Sequence, residues 1–167
     1  MRHGSLFSGI GGCDLAAEWM GWDNVFTCEI DPFCQKVLQH HWPNVDHHTD
    51  IFDFDATQYL GRIDILTGGF PCQPFSMAGK RKAQADERYL FPEMCRIVRE
   101  CRPTYVVAEN VRGLLNLGGG VEFTAVCDEL ESCGYQLQTF CVPAAGKGAP
   151  HRRDRIFIVA LACGGVE

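Results

Sequence analysis

A cysteine, a carboxylate and two arginines stand at the ends of short apolar runs. The stretch "IDILTGGFPCQPFS" puts Cys72 just past a candidate strand, behind two glycines and Pro71. A thiol held by a rigid turn and followed by basic residues is a candidate thiolate nucleophile. "TYVVAENV" ends its apolar run in Glu109 and Asn110, and "GAPHRRDRIFIVALA" brings Arg153 and Arg155, two apart, into another run. A thiolate beside a carboxylic acid suits addition to an electron-poor heterocycle, one group attacking while the other protonates or hydrogen-bonds a ring nitrogen. Alternate arginines on one face can hold a carbonyl oxygen, a phosphate or another side chain. Each feature also has a plainer reading: an inert loop thiol, a helix N-cap neighbour, a solvated strand edge.

A second set lies nearer the N-terminus. "LFSGIGGCDLAAEWMGW" sets Gly9, Gly11 and Gly12 between a short strand and an amphipathic helix, where a backbone without side chains can approach a ligand. The next run, "VFTCEID", ends in Glu29, about 20 residues on, where a carboxylate can accept both hydrogen bonds of a ribose diol. Asp50 could take an adenine amino group. The spacing is G-x-G-G rather than G-x-G-x-x-G, and no phosphate-binding G-x-x-x-x-G-K-[ST] occurs. A P-loop NTPase is thereby set aside, while the glycines alone leave NAD and S-adenosylmethionine both open.

Short apolar runs alternating with helix-period stretches must position these groups. Strands are expected at Ser5–Ser8, Val25–Glu29, Ile63–Thr67, Tyr105–Ala108, Gln138–Val142 and Ile156–Leu161, with a short one at His47–Thr49. Helices are expected over about 13–20, 32–41, 89–101 and 120–132, the last stopped by Gly134. That alternation predicts an α/β domain with a mostly parallel sheet and helices on both faces. Its reactive groups would share the carboxyl edge of the sheet, where ligands of such folds bind. The long, poorly periodic segment 71–88 is expected to be a functional loop.

A chain of 167 residues, 46% hydrophobic and 22% charged, suits one compact domain, 1–167. It holds no run of about 18 apolar residues for a membrane span and no signal-peptide pattern at its start, so a cytosolic protein is expected. The ten cysteines form no C-x-x-C pair, which argues against a zinc or iron–sulfur site. A net charge of −6 conceals an uneven spread. Residues 1–63 carry 3 Lys/Arg against 9 Asp/Glu, whereas 80–102 carry 7 against 4 and 147–155 carry 4 against 1.

Together the segments "SLFSGIGG", "EID", "TDIFD", "GGFPCQPFS", "ENVRGLL" and "HRRDRIFIVA", over about residues 5–162, resemble the cytosine carbon-5 DNA methyltransferases in motif content and order. The resemblance implies a Rossmann-like, class I S-adenosylmethionine-dependent methyltransferase fold whose last strand is antiparallel. It implies S-adenosyl-L-methionine as cofactor, with Phe7, Gly9, Gly11 and Gly12 lining its site, Glu29 on the ribose and Ile30 against the adenine. Asp50 and Ile51 would complete the adenine pocket, and Pro71 and Leu90 would border the methionine and adenosine portions. Cys72 would be the nucleophile, Glu109 the acid at the ring nitrogen and exocyclic amine, and Arg155 the partner of the base carbonyl oxygen, supported by Arg153. Ser76, Lys80 and Arg88 would contact DNA on a loop that closes over a flipped nucleotide.

The implied partner is double-stranded DNA in a bacterial or phage-infected cell, in restriction-modification or a related role, with the two basic segments facing phosphates. Three departures stand out. Ser5 occupies a position where many members have aspartate and could weaken cofactor positioning; His151 replaces a common glutamine. The chain also stops at "LACGGVE", before the family's target recognition domain and the C-terminal segment that packs beside the first helix. It is therefore expected to be a fragment or one chain of a split enzyme, complemented by a chain carrying the recognition domain. The alternatives are a tRNA cytosine-5 methyltransferase and an inactive, truncated cofactor-binding module.

Overall fold

A computed structural model describes residues 1–71 and 90–164. Its elements are β1 (Arg2–Leu6), α1 (Gly12–Trp19), β2 (Asp23–Cys28), α2 (Pro32–His41), β3 (Asp46–His48), β4 (Ile65–Gly68), α3 (Phe91–Cys101), β5 (Tyr105–Val111), α4 (Val121–Ser132), β6 (Tyr135–Pro143) and β7 (Asp154–Ala162). Short 3-10 turns occupy 57–59 and 144–147, and 112–120 holds two more, separated by a kink at Leu117, Gly118 and Gly119.

One seven-stranded sheet runs in the order β3-β2-β1-β4-β5-β7-β6. The pairs from β3 through β5 are parallel, and β7 is antiparallel to both β5 and β6. Only β7 therefore runs against the rest, as expected. From β1 the chain steps outward through α1 and α2 toward β3; from β4 it steps the opposite way through α3 and α4. Right-handed crossovers in opposite directions put the two helix pairs on opposite faces. The reversal falls between β1 and β4, so a crevice opens at the carboxyl ends of these two strands.

Local sequence explains the helices that frame this crevice. In α2, Asp31 caps Phe33 N and Cys34 N while Pro32 fills the first turn, and the helix covers the expected residues. Helix α3 buries Phe91, Met94, Cys95, Val98 and Cys101, spaced to line one face. Against the sheet these side chains join Phe26, Leu66, Val106, Ile156 and Ile158 in one core.

Several strand ends differ from expectation. Strand β1 covers Arg2–Leu6 rather than Ser5–Ser8, because Phe7 at φ 52° already turns the chain into the glycine loop. Its start is held by Asp64, which accepts from Arg2 N at 2.7 Å and Arg2 Nη2 at 2.7 Å. Strand β5 runs on to Val111 instead of ending at Ala108. Its pairing with β4 stops at Gly68–Ala108, but the antiparallel ladder to β7 continues through Glu109–Phe157 and Val111–Arg155. Glu109 thus sits in a strand, not beyond one. In the same way β6 begins at Tyr135 and β7 at Asp154, each pair extending the shared ladder.

Candidate active site at the carboxyl edge

The glycine loop crosses the open end of β1. Glu29 leaves β2 with its carboxylate over this loop: Oε2 accepts from Gly9 N at 2.7 Å and Oε1 from Asp31 N at 2.9 Å. Each carboxylate oxygen keeps a second lone pair for a ligand hydroxyl. The three glycines divide by role. A side chain at Gly9 or Gly12 would meet nothing within 4 Å, leaving open space on the ligand side of the loop. Gly11 is different: at φ +89° it is buried, and a Cβ there would strike Trp42 Cζ3 and lie 2.6 Å from Cη2. Gly11 seats the end of α2 against the loop.

Beyond Glu29, Ile30 is 68% exposed and free to cover a planar ring. Asp50 Oδ1 accepts from Phe52 N at 2.9 Å, and among the described residues Oδ2 has no hydrogen-bond partner. Ile51 is only 6% exposed, packed into the core, so it can offer a ligand its backbone N–H rather than its side chain. Open space at Gly9 and Gly12, a ribose-reaching carboxylate and an unshared Asp50 oxygen make a donor set that fits an adenosine-bearing cofactor. Phe7 follows β1, Pro71 follows β4 and Leu90 caps the start of α3; Phe7 and Leu90 are packed partly against the core.

The departure at Ser5 has a structural answer. Ser5 is buried, donates to Asp14 Oδ1 at 2.8 Å and is 2.7 Å from Ser8 Oγ. A buried carboxylate is thus supplied by α1 rather than by β1. His3, fully buried, completes the cluster: Nδ1 is 2.7 Å from Asn24 Oδ1 and Nε2 2.8 Å from Thr67 Oγ1. Asn24 Nδ2 donates to Asp14 O at 3.0 Å, so its oxygen must face the imidazole. His3 therefore donates through Nδ1, and its burial favours the neutral ring, in which Nε2 accepts from the Thr67 hydroxyl. Burial lowers its pKa and raises that of Asp14, whose Oδ2 is buried without a partner among the described residues. Nothing in the sequence spacing announces this network beyond an aspartate three residues before buried Ala17.

Across the crevice, Glu109 Oε1 forms an ion pair with Arg155 Nε at 2.7 Å. Both side chains are partly buried, which favours a held geometry over a solvated one. Gly69 makes room: a Cβ there would be 3.1 Å from Glu109 Oε2, so the carboxylate lies over the segment that leaves β4. Neighbouring Asn110 is buried and donates from Nδ2 to Phe70 O at 2.9 Å while accepting from Val111 N at 2.8 Å. It thereby ties the segment two residues before Cys72 to the strand carrying Glu109. Cys72, Ser76, Lys80 and Arg88 themselves lie outside the described residues.

Arg153 does not share a face with Arg155. It precedes β7 at φ 38°, a left-handed turn that breaks the two-residue alternation, and its side chain is exposed. The organised neighbours are instead Arg112 and Arg152, which pair with Asp154 at 3.2 and 3.1 Å.

The C-5 cytosine-specific DNA methylase family matches residues 1–164. The chain belongs to this family. Relatives within it include the Type II methyltransferase M.PspPI of Psychrobacter sp. (strain TA137), 38% identical over 159 residues that cover 93% of this chain and 38% of that protein. M.Eco47II of Escherichia coli is also 38% identical, with the same coverage. This methylase-family chain therefore spans about two-fifths of the length of those relatives. Among solved structures, the S. pombe Dnmt2 methyltransferase superposes with a TM-score of 0.78 at 26% identity, covering 100% of this chain and 52% of that one. A putative DNA modification methyltransferase encoded in an E. coli prophage gives 0.78 at 27% identity, covering 97% and 47%. The methylase fold is thus shared with a Rossmann-like, mostly parallel sheet. Among the described residues no helix is long and apolar enough to cross a membrane, and no cluster could hold a metal ion.

Proposed function

We propose that this chain is the catalytic, S-adenosyl-L-methionine-binding part, residues 1–167, of a DNA cytosine-5 methyltransferase acting in the bacterial cytoplasm. The observation that carries the reading is a juxtaposition at one topological switch point. Glu29 and the open glycine loop lie beyond β1 and β2, and the Glu109–Arg155 pair lies beyond β4. Gly9, Gly12, Glu29, Ile30, Asp50 and the Ile51 backbone N–H would hold the cofactor, which when bound supplies a sulfonium-activated methyl group. Pro71 and Leu90 would border its methionine and adenosine portions.

The chain's own groups would do the rest. Cys72 sulfur forms a bond to carbon 6 of a cytosine swung out of the duplex. The displaced π electrons pass toward the ring nitrogen, where Glu109 supplies or holds the proton, and carbon 5 becomes nucleophilic. Arg155 is anchored to Glu109 through Nε and to its neighbour's carbonyl through Nη1, which leaves Nη2 to face the base carbonyl oxygen. Once carbon 5 has taken the methyl, its proton passes to solvent, and breaking the carbon 6–sulfur bond returns Cys72 as thiolate and restores the aromatic ring. Arg153, Arg112 and Arg152 would meet backbone phosphates beside it, as would Ser76, Lys80 and Arg88. Leu15 and Trp19 of α1 and Met20, which caps its end, are 40%, 78% and 66% exposed, apolar surface that supports a covering segment from a complementing chain with the recognition domain.

The test is labelled-methyl incorporation into duplex DNA and into tRNA by this chain mixed with the C-terminal part of a relative such as M.PspPI. Label at cytosine carbon 5 of DNA, lost in Cys72→Ala, is expected. Label in tRNA alone would transfer the reading to RNA, and activity retained by Cys72→Ala would overturn it.

A further inference from the structure

The loop that carries Asp50 and Ile51 is fastened from the middle of a helix, α3. Arg96, at the middle of α3, sends Nη2 to Ile51 O at 2.5 Å and Nη1 to Phe54 O at 2.9 Å. Its guanidinium is held from both sides along the helix, Nε by Glu93 at 2.7 Å and Nη1 by Glu100 at 2.7 Å. Glu100 uses its other oxygen to accept from Ala56 N at 2.9 Å. Three peptide groups of 51–56 are thus tied to α3 by one Glu–Arg–Glu cluster.

Without that cluster little polar structure would fix this loop. Strand β3 is an edge of three residues, Asp46–His48, paired only to β2. Asp50 lies two residues beyond its end and spends one oxygen on the Phe52 amide of the same loop, so the loop's placement decides where the other oxygen points. A planar guanidinium can bridge two carbonyls at fixed separation, which a single ammonium cannot. The apolar pegs Ile51 and Phe54, both buried, hold the loop down but do not set its rotation about the chain.

We propose that Arg96 is a positioning residue for adenine recognition: by bridging the Ile51 and Phe54 carbonyls it aims Asp50 at the exocyclic amine and so confers preference for a 6-amino over a 6-oxo purine. This rests on the cofactor reading above. A carboxylate accepts from an amine and repels a carbonyl oxygen, so a site built around it discriminates only while the carboxylate is held in place.

Calorimetric titration of the chain with S-adenosyl-L-homocysteine and its 6-oxo analogue, S-inosyl-L-homocysteine, tests this in wild type, Arg96→Met, Arg96→Lys, Asp50→Ala and the Arg96→Met/Asp50→Ala pair. The wild type is expected to prefer the amino ligand by tenfold or more. Arg96→Met should weaken that ligand about tenfold and the 6-oxo ligand little, collapsing the ratio, and should add nothing to Asp50→Ala. Arg96→Lys keeps the charge between Glu93 and Glu100 but loses the bridge, so the ratio should fall there too. Equal weakening of both ligands, full preference in Arg96→Lys, or additive losses would overturn the proposal. Failure of the wild type to bind either ligand would contradict the cofactor reading instead. Amide exchange of 51–57 in the free chain then decides the clamp: faster exchange in Arg96→Met, with β1 and β5 unchanged, is expected, and unchanged exchange overturns it.

Discussion

Replacing Gly11 and Gly12 by alanine one at a time should separate the fold-bearing glycine from the ligand-facing one. At Gly11 the backbone holds φ +89°, a region that costs an L-residue about 1–2 kcal/mol. The new methyl would also press into the Trp42 ring and lie 3.1 Å from Leu38 Cδ2, an overpacking worth about 1–3 kcal/mol. Gly11→Ala is therefore expected to lose about 2–5 kcal/mol, a large share of the roughly 5–15 kcal/mol that holds a domain together. Gly12 opens α1, has no positive φ and has nothing within 4 Å of a Cβ. Gly12→Ala should leave stability unchanged or raise it by about 0.4–1 kcal/mol while weakening S-adenosyl-L-homocysteine about tenfold. Urea unfolding followed by circular dichroism reads the first effect and calorimetry the second. A double-mutant cycle of Gly11→Ala with Trp42→Leu should recover the overpacking part, about 1–3 kcal/mol of coupling, and not the backbone part. Gly11→Ala within about 0.5 kcal/mol of wild type, or Gly12→Ala as costly as Gly11→Ala, would refute the division of roles.

Two further outcomes follow from the buried polar groups. Asn110→Ala strips the Phe70 carbonyl and the Val111 amide of their partner, so it should cost about 1–3 kcal/mol in urea unfolding. It should also slow methyl transfer more than it weakens cofactor binding, and an unchanged ratio would remove Asn110 from the positioning of Cys72. His3 is buried neutral with its pKa held below the usual 6.5, so its contribution is complete above pH 6.5 and is lost as pH falls through its folded value. Asp14, raised above its usual 3.8, acts the other way: its contribution belongs to low pH and fades as pH rises through its folded value. The thermal midpoint should therefore decline below pH 6.5 with a slope that His3→Gln removes, and a slope surviving in His3→Gln would assign it elsewhere.

How far the sequence reached depended on whether the deciding contact was local. Helix α2 is legible to the residue because its start is written in Asp31-Pro32, a cap and a first-turn proline. The crevice was legible too, since glycines after one strand and Gly68-Gly69 after another mark where backbone must stay bare. Strand β5 ran past its apolar run because a partner some 45 residues later extends the ladder, which no window around Glu109 contains. Arg153 looked equivalent to Arg155 until one left-handed residue broke the alternation. Asp14 and Arg96 were invisible for the same reason: each acts on groups brought near only by the sheet, His3 and Ser5 for one, the 51–56 peptides for the other.

The central claim is covalent catalysis by Cys72 on a flipped cytosine, and trapping tests it most directly. Duplex DNA carrying 5-fluorocytosine blocks loss of the carbon-5 substituent, so a ring that has been attacked and methylated stays bound to the attacking sulfur. With S-adenosyl-L-methionine and the complementing C-terminal part of a relative, the expected result is a denaturation-resistant protein–DNA species that maps by mass spectrometry to Cys72 and is absent in Cys72→Ala. No adduct under conditions where the cofactor is bound, or an adduct that persists in Cys72→Ala, would contradict it.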